Sequence, residues 1–351
     1  MTSLTEQLVS IVEQALREAE TPGAAVALLV DGRPLLQRGV GFQDTAHVVP
    51  LPRDARFYLY SITKTLIAIA VLQLVQQGRL TLGEPAQRRL PHLRLEQPVT
   101  LRQLLRHTAG LPDYGGKAVY EQAVAQDPDK PWTAAMFLER TLQDGLRYTP
   151  GTRWAYSNIG YLLLKQILER TSGRSLREVL HERLFAPLRL QHTFVAETLA
   201  DVKELTPGYS AFFSEDDSLE NVTSRYHPGW VSYGVVVSTA PEAARLFQGL
   251  FERRLLPANL LRAMLEPVRV PLPHPLFVQP AYGLGLMLDP QSPYGTVAGH
   301  GGGGPGYDTA ALHFSDVDGH EVIAAVLANR DRAGLALRLA FRLAGHLPSS
   351  L

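Results

Sequence analysis

A serine and a lysine stand directly before a long apolar segment of the chain. In the run Phe57-Tyr-Leu-Tyr-Ser61-Ile-Thr-Lys64 they lie three residues apart, and the next eleven residues, 65–75, include only two polar ones. A helix that is apolar on all sides lies in the centre of a domain, and positions i and i+3 share one face. We therefore expect the Lys64 ammonium near the Ser61 hydroxyl, in a partly desolvated site that lowers the lysine pKa. The alternative is that Ser61 caps the helix and Lys64 is exposed.

A second polar group, Tyr156-Ser157-Asn158, follows a turn at Pro150-Gly151. The pattern predicts a helix from near Asn158 to about Arg170, so these polar side chains stand together at a helix start. They could take part in chemistry. A cap formed by Ser157 or Asn158, with Tyr156 packed in the core, explains the same residues.

The third feature is a histidine followed by glycines, His300-Gly301-Gly302-Gly303-Gly304-Pro305-Gly306. Glycine lets another group approach the backbone closely, so a substrate could lie against this segment. Gly301, Gly303 and Gly306 formally match a dinucleotide fingerprint, but Pro305 and the strand-like residues after it replace the helix that this fingerprint requires. A flexible glycine loop with an incidental histidine is the alternative.

Composition excludes several other kinds of function. The 351 residues contain 34 Lys plus Arg and 34 Asp plus Glu, and a zero net charge argues against a nucleic-acid or anionic-membrane partner. There is no cysteine, so disulfide scaffolds and thiol catalysis are ruled out. The sequence has no G-x-S-x-G, H-E-x-x-H or Walker A motif, and we expect neither a metal nor a cofactor. His107 is expected to be a cation and cap at a helix end.

The chain ends predict a sheet to which both termini contribute. The pattern of residues Thr2–Glu20 predicts an amphipathic helix, and the segment lacks the basic start and long apolar stretch of a signal peptide; if Met1 is the natural start, a cytoplasmic protein is expected. Apolar runs flank Asp-Gly turns at both ends of the chain, a hairpin pattern, and a helix over Leu335–Leu347 follows the second one; the runs are Ala24–Val30, Leu35–Val40, Thr309–Phe314 and Val322–Leu327.

The fold class expected from this arrangement is α+β, an α/β sandwich with a central antiparallel sheet flanked by helices. Residues 1–80 plus 224–351 would form the sheet domain and residues 81–223 a mostly helical insertion, with the site in the cleft between them. Capping boxes predict three helix starts, at Thr100–Gln103, Ser175–Glu178 and Thr239–Glu242.

Taken in order, the three motifs resemble those of the serine β-lactamase and penicillin-binding-protein superfamily. Its signatures S-x-x-K, Y-x-N and K-T-G correspond here to Ser61-Ile-Thr-Lys64, Tyr156-Ser-Asn158 and His300-Gly-Gly302. Connecting segments are similar to those of its class C branch, namely Leu104–Pro112, Tyr148–Gly151, Ile159–Tyr161 and Tyr282–Gly285. The resemblance covers roughly Pro22 to Arg330, and it implies a β-lactamase/transpeptidase-like fold.

The resemblance also implies a role for each motif residue. Ser61 is the nucleophile that forms an acyl-enzyme, and Lys64 keeps the local potential positive. Tyr156 is the general base, its phenol acidified from about 10 by the lysine. Asn158 binds an amide or carbonyl of the substrate. The backbone N–H groups of Ser61 and Gly303 form the oxyanion hole.

The third motif departs from the family pattern. The family's lysine and threonine, which help to hold a substrate carboxylate, are replaced by His300 and Gly301, while Gly302 is kept. An unperturbed histidine is mostly neutral at pH 7 and would regain charge below about pH 6.

The leading hypothesis is therefore a serine hydrolase acting on a small ester or amide, similar to family VIII carboxylesterases. The cytoplasmic expectation, which separates the protein from cell-wall peptide, also favours an esterase. A β-lactamase, DD-peptidase or D-specific peptidase is the enzymatic alternative, and a non-catalytic penicillin-recognising sensor is the alternative of another class. The acyl pocket and the oligomeric state are not determined by the sequence.

Overall fold

The computed structural model describes residues 3–348. Within that range the α-helices are α1 (Leu4–Glu18), α2 (Ile62–Gln76), α3 (Ala86–Arg89), α4 (Leu101–Leu105), α5 (Ala118–Gln126), α6 (Ala134–Leu142), α7 (Asn158–Ser172), α8 (Leu176–Leu180), α9 (Ala240–Phe251), α10 (Ala258–Met264) and α11 (Leu335–Ala344). A π-helical turn, His181–Phe185, extends α8, and short 3₁₀ helices cover Leu199–Val202 and Pro228–Trp230.

The strands of the same range are β1 (Gly23–Val30), β2 (Arg33–Gly41), β3 (Phe57–Tyr58), β4 (Phe194–Ala196), β5 (Tyr209–Ser210), β6 (Glu220–Asn221), β7 (Val235–Ser238), β8 (Val268–Arg269), β9 (Ala281–Tyr282), β10 (Met287–Ser292), β11 (Gly295–Gly304), β12 (Tyr307–Val317) and β13 (His320–Ala328). Eight of them form one sheet in the order β2-β1-β13-β12-β11-β10-β9-β8. Its pairs are antiparallel. Because β1 pairs with β13, strands from both ends of the chain meet at the centre of the sheet, as the sequence predicts.

Strand β1 shows why this sheet is covered on both faces. All eight of its residues are buried, and side chains alternate between the two faces of a strand. Ala24, Val26 and Leu28 belong to the core that contains α1 and α11. Ala25, Ala27 and Leu29 belong to the core on the opposite face, which contains α2 and α9. The sheet is therefore the middle layer of a sandwich, with α2 buried beneath it.

The hairpin turns follow from their Asp-Gly sequences. Asp31 and Gly32 have φ of 49° and 74°, and Asp318 and Gly319 have φ of 52° and 94°. Positive φ at both central residues is the requirement of the type I′ turn that suits twisted hairpins. The first turn connects β1 to β2 and the second connects β12 to β13, so the local sequence sets both reversals of the chain.

Helix starts were predicted well, with one difference. Thr100 with Gln103 and Ser175 with Glu178 form reciprocal capping boxes. Thr239 caps α9 by accepting from the Glu242 N–H, but the Glu242 carboxylate accepts hydrogen bonds from residues 191–193 instead of reaching back. The third capping box is therefore wrong, because a buried carboxylate takes the donors that the tertiary fold brings to it.

The middle of the chain contains helices α3 to α8, all of them short except α7, together with the short strands β4 to β6. The division at residues 80 and 224 stays a prediction. Across residues 3–348, no helix is both long enough and apolar enough to cross a membrane.

Candidate active site

Ser61 is held in place by strand pairing and a strained residue. Strand β3 pairs with β7 through Phe57 and Tyr58, and Leu59 continues the pairing by donating its N–H to the Val236 carbonyl at 2.7 Å. Tyr60 then adopts a left-handed φ of 44°, which is costly for a bulky residue. The Tyr60 hydroxyl donates to the Pro305 carbonyl at 2.6 Å. This bend directs Ser61 into the first turn of α2.

Three polar side chains converge on the Ser61 hydroxyl. Lys64 Nζ lies 3.0 Å from Ser61 Oγ, and Tyr156 Oη lies 3.0 Å from it. A second tyrosine, Tyr233, places its Oη at 3.3 Å. Ser61 makes no side-chain cap to α2, so the capping alternative for this residue is wrong. The arrangement is that of a serine surrounded by groups able to move its proton.

Lys64 is one of the most buried side chains of the molecule, with 0% exposure. The alternative of an exposed first-turn lysine is therefore wrong. Burial lowers the pKa of Lys64 well below its ordinary value, and the charge of Asp113, acting through space, opposes the change. Of the two forms of this side chain, the neutral amine is the one that burial favours, and a neutral amine can accept a proton.

Tyr156 differs from the expectation. Burial, followed by the neighbouring Tyr233, raises the pKa of Tyr156 well above 10, although its hydrogen bond to Ser61 opposes the change. The predicted acidified phenol is wrong for the resting site, because the cost of desolvating a phenolate prevails. Tyr156 is a neutral phenol that donates to Ser61 Oγ.

Asn158 is held by a partly buried carboxylate, that of Asp113. Its backbone N–H donates to Asp113 Oδ1 at 2.9 Å and its Nδ2 donates to Asp113 Oδ2 at 3.0 Å. Burial raises the pKa of Asp113, while the hydrogen bond from the Asn158 backbone lowers it. Ser157 is the cap of α7, accepting from the Gly160 N–H at 3.3 Å. The side-chain oxygen of Asn158 is thus turned away from Asp113.

His107 supports the tyrosines and carries no charge. Its Nδ1 accepts from the Ser157 N–H at 3.1 Å, and its ring lies 4.2 Å from the Tyr156 ring, centroid to centroid. Burial, with the charge of Lys64 next, lowers the pKa of His107 well below 6.5. The predicted cation at a helix end is therefore wrong: His107 is a buried neutral ring against which Tyr156 packs.

The glycines of β11 allow that strand to approach Ser61. A Cβ on Gly302 would lie 2.2 Å from the Leu59 carbonyl oxygen and 3.1 Å from Ser61 N, whereas one on Gly303 would meet nothing within 4 Å. Gly304 and Tyr307 flank the two-residue Pro305-Gly306 turn and are paired with each other. Since hydrogen-bonded and non-bonded pairs alternate in an antiparallel ladder, the next residue, Gly303, directs its N–H away from β12.

His300 is neutral and fully hydrogen-bonded. Its Nδ1 lies 2.5 Å from the Gly301 carbonyl oxygen, and its Nε2 lies 2.9 Å from the Tyr282 hydroxyl. A carbonyl only accepts, so Nδ1 carries the proton and Nε2 accepts from Tyr282. Burial, assisted by the charge of Lys64, lowers the pKa of His300 to about 3. The expected return of its charge below about pH 6 is therefore wrong.

The potential metal ligands do not cluster. Over residues 3–348, no group of three or more His, Asp or Glu side chains is arranged to hold a metal ion. The side chains that the site itself offers are a serine hydroxyl, an amine of lowered pKa and two phenols.

Comparison with known proteins places the chain in a family. The family model described as Beta-lactamase matches residues 8–346. The chain belongs to the beta-lactamase family. Penicillin-binding protein 4* of Bacillus subtilis (strain 168) is 27% identical over 334 residues, which cover 91% of this chain and 70% of that protein. Protein flp of Staphylococcus aureus (strain MW2) is 27% identical over 209 residues, but the match spans only 41% of its length.

Solved structures of beta-lactamase-fold proteins agree with this membership. A D-stereospecific amidohydrolase from Streptomyces is 27% identical with a TM-score of 0.79, covering 95% of this chain and 97% of its own. D-amino acid amidase from Ochrobactrum anthropi SV3 is 25% identical with a TM-score of 0.82, covering 98% and 97%. The predicted superfamily and fold class are confirmed, and the chain is a member of a superfamily of serine hydrolases.

The structure adds residues that sequence reasoning missed. Asp113 directly follows the Leu104–Pro112 segment that carries the resemblance, so its position was a usable signal. Tyr233 lies 172 positions from Ser61 and stands in no recognised motif. Tyr282 begins the Tyr282–Gly285 segment that carries the resemblance, but no role was predicted for its hydroxyl. Only the tertiary fold brings them to the site.

Proposed function

We propose that this chain is a carboxylesterase-like serine hydrolase that cleaves a small ester or amide lacking a carboxylate next to the scissile bond. The observation that carries the proposal is the contrast between a complete Ser61–Lys64–Tyr156 cluster and a neutral, hydrogen-bonded His300. The cluster allows Ser61 to attack a substrate carbonyl and become acylated. The histidine offers no cation to an anionic substrate.

In the first half of the reaction Ser61 Oγ forms a bond to the substrate carbonyl carbon. The Oγ proton passes to the Lys64–Tyr156 pair, and the carbonyl electrons move onto the oxygen. We infer that the N–H groups of Ser61 and Gly303 receive this oxyanion, which is worth about 3 kcal/mol per donor in comparable sites. The bond to the leaving group then breaks, and the pair returns the proton to the departing oxygen or nitrogen.

The second half releases the acyl group. Water attacks the acyl carbon and gives its proton to the same pair, and the ester bond to Ser61 Oγ breaks as the proton returns to Oγ. The pair acts as a base only after it has lost one proton. Because burial lowers the pKa of Lys64 and raises that of Tyr156, that proton comes from the lysine. The expected role of Tyr156 as base becomes a shared role.

The residues on the β11 side of the site indicate which substrate charge is preferred. A charge-assisted hydrogen bond to a carboxylate contributes about 1.5–3 kcal/mol, and the neutral His300 cannot supply one. Tyr282 already donates to its Nε2. We therefore expect anionic substrates such as β-lactams to be bound about one to two orders of magnitude more weakly than uncharged esters of similar size.

A D-amino-acid amide is the second candidate substrate. The solved amidohydrolase and amidase structures that resemble this chain are named for D-stereospecific and D-amino acid activity. In this chain, the partly buried carboxylate of Asp113 holds Asn158 so that the side-chain oxygen of Asn158 is turned away from Asp113. The Asn158 oxygen, lying beside the Asp113 carboxylate, could accept a hydrogen bond from the ammonium group of such a substrate.

The test is a panel assayed side by side at about pH 7.5, where His300, with its pKa lowered to about 3, is neutral. It contains p-nitrophenyl acetate and butyrate, nitrocefin, benzylpenicillin, and the p-nitroanilides of D- and L-alanine. We expect kcat/KM to be highest for the esters. A higher value for nitrocefin or benzylpenicillin would overturn the proposal, and a higher value for the D-anilide with no L-activity would replace it with the second candidate.

A further inference from the structure

Tyr233 makes two separate contacts with the reacting groups. Its hydroxyl oxygen lies 3.3 Å from Ser61 Oγ, and the centroid of its ring lies 3.6 Å from Lys64 Nζ. The side chain is buried, with 3% exposure. It stands in the segment just before β7, the strand that also aligns the residues preceding Ser61. One residue thus touches both the nucleophile and the lysine.

Aromatic rings lie around Lys64 Nζ, where an ion-pair partner would be expected. The rings of Tyr156 and Tyr161 lie 4.8 Å and 5.8 Å from Lys64 Nζ, both farther than that of Tyr233. Asp113 acts on Lys64 through space, without a hydrogen bond. An ammonium over an aromatic face is stabilised most strongly where water is excluded, and Lys64 is fully buried.

We propose that Tyr233 is a catalytic residue of this enzyme: its ring stabilises the protonated form of Lys64, and its hydroxyl is the third hydrogen-bond partner of Ser61 Oγ. The inference rests on the base role proposed for the Lys64–Tyr156 pair. The ring favours the ammonium and thereby raises the pH at which the pair becomes a base. It partly offsets the effect of burial on the lysine.

Other titratable groups face Lys64 from the surrounding elements and would remain in any Tyr233 variant. They are Ser61 directly before α2, Tyr156 and Tyr161 at α7, Asp113 and His107 after α4, and His300 on β11. Both histidines are neutral at ordinary pH because burial lowers their pKa values. A change confined to the Tyr233 ring therefore isolates its effect on the lysine.

The experiment measures the rate at which a fluorophosphonate labels Ser61 as a function of pH, which requires no knowledge of the substrate. Tyr233→Phe keeps the ring and removes the hydroxyl, whereas Tyr233→Leu removes both. Tyr233→Met serves as a second ring-free variant if the leucine variant does not fold. Phe137→Leu is the matched control, because Phe137 is a buried ring that packs against Tyr114, Tyr120, Trp132 and Trp230 and not against Lys64.

In the wild-type protein the labelling rate should rise with pH as the pair loses its proton. Loss of the ring lowers the pKa of Lys64, so the rise should move to lower pH by about one unit in Tyr233→Leu, the size of a desolvated cation–π contact. Tyr233→Phe and Phe137→Leu should keep the wild-type midpoint, and the phenylalanine variant should lose no more than about tenfold in rate, as for one hydrogen bond.

A Tyr233→Leu profile with an unmoved midpoint, or a Phe variant that shifts as far as the Leu variant, would overturn the proposal. Tyr233 would then only pack against the site. A wild-type profile without any rise would instead disprove the base role of the Lys64–Tyr156 pair. Because no ester or amide is used, neither result depends on the substrate class proposed above.

Discussion

The two sides of the active site differ in how they treat charge. On the α2 side, Lys64, Tyr156 and Tyr233 surround the Ser61 hydroxyl, and each can exchange or share a proton. On the β11 side, glycines and His300 present backbone groups and a ring whose nitrogens are both occupied. The proposed bond-breaking chemistry and the proposed substrate recognition thus belong to separate sets of residues: the first set keeps the motif residues of the resemblance, and the second departs from them.

Removing the proton-transfer groups around Ser61 should have the largest effect on turnover. Tyr156→Phe and Lys64→Met should each lower kcat by about 10²-fold or more, the range for lost acid–base catalysis. The double variant should be little worse than either single one, because residues that act as a unit are not additive. Steady-state kinetics on p-nitrophenyl butyrate measures this.

Tyr294→Phe and Lys203→Met are the matched controls for those two changes. Tyr294 stands at the β10–β11 turn and Lys203 is exposed, so both should retain wild-type turnover. Losses that multiply in the Tyr156/Lys64 double variant would show that the two residues act independently.

Crowding the glycine side should have the next largest effect. In Gly302→Ala the new Cβ would lie 2.2 Å from the Leu59 carbonyl oxygen and 2.6 Å from Thr309 Oγ1. We expect the free energy of unfolding to fall by about 1–3 kcal/mol, as for other overpacked sites. Thermal or urea unfolding monitored by circular dichroism measures the change.

Gly303→Ala is the stability control for that variant, because its Cβ would meet nothing within 4 Å. The free energy of unfolding should stay within about 0.5 kcal/mol of the wild-type value, as for an unobstructed surface change. Equal destabilisation by both alanines would contradict the close approach of β11 to the segment that carries Ser61.

Placing a cation on the β11 side should change the substrate preference. His300→Lys should raise the ratio of kcat/KM for nitrocefin to that for p-nitrophenyl butyrate by about tenfold or more, the equivalent of one charge-assisted hydrogen bond. His92→Lys, at an exposed position, adds the same charge away from the site and should leave the ratio unchanged. A ratio that responds equally in both variants would point to net charge as the cause.

The smallest effect is expected when the pH is changed and the preference between nitrocefin and the ester is measured. Because the pKa of His300 is lowered to about 3, the histidine is neutral both at pH 7 and at pH 5. The ratio of nitrocefin to ester turnover in the wild-type protein should therefore stay constant between these values. Measuring both substrates across that range checks this, and a ratio that rises with a midpoint near pH 6 would show that His300 titrates as an exposed histidine.

Sequence reasoning succeeded where the physics is local. The Asp31-Gly32 turn, the Thr100 capping box and the i, i+3 contact of Ser61 with Lys64 each depend on residues close together in the chain. Ordered motifs supplied Tyr156. The lowered pKa that the resemblance implied for this phenol is wrong in direction, because the pKa depends on how much water the assembled site excludes.

Long-range contacts set the limit of prediction. Tyr233 reaches Ser61 across 172 positions of the chain, and Tyr282 engages His300 through a sheet whose register decides which side chains meet. The left-handed φ of Tyr60 could not be predicted either. An intrinsically unfavourable backbone conformation persists only when the surrounding structure enforces it.

Trapping the acyl-enzyme tests the central claim most directly. The protein is mixed with p-nitrophenyl butyrate, quenched in acid within the first turnovers, and analysed by intact-mass and peptide mass spectrometry. We predict the addition of one butyryl group, located on the peptide that contains Ser61 and absent from Ser61→Ala, which should also lose turnover by about 10³-fold or more. Near-wild-type turnover in Ser61→Ala, or a butyryl group on any other residue, would contradict the account.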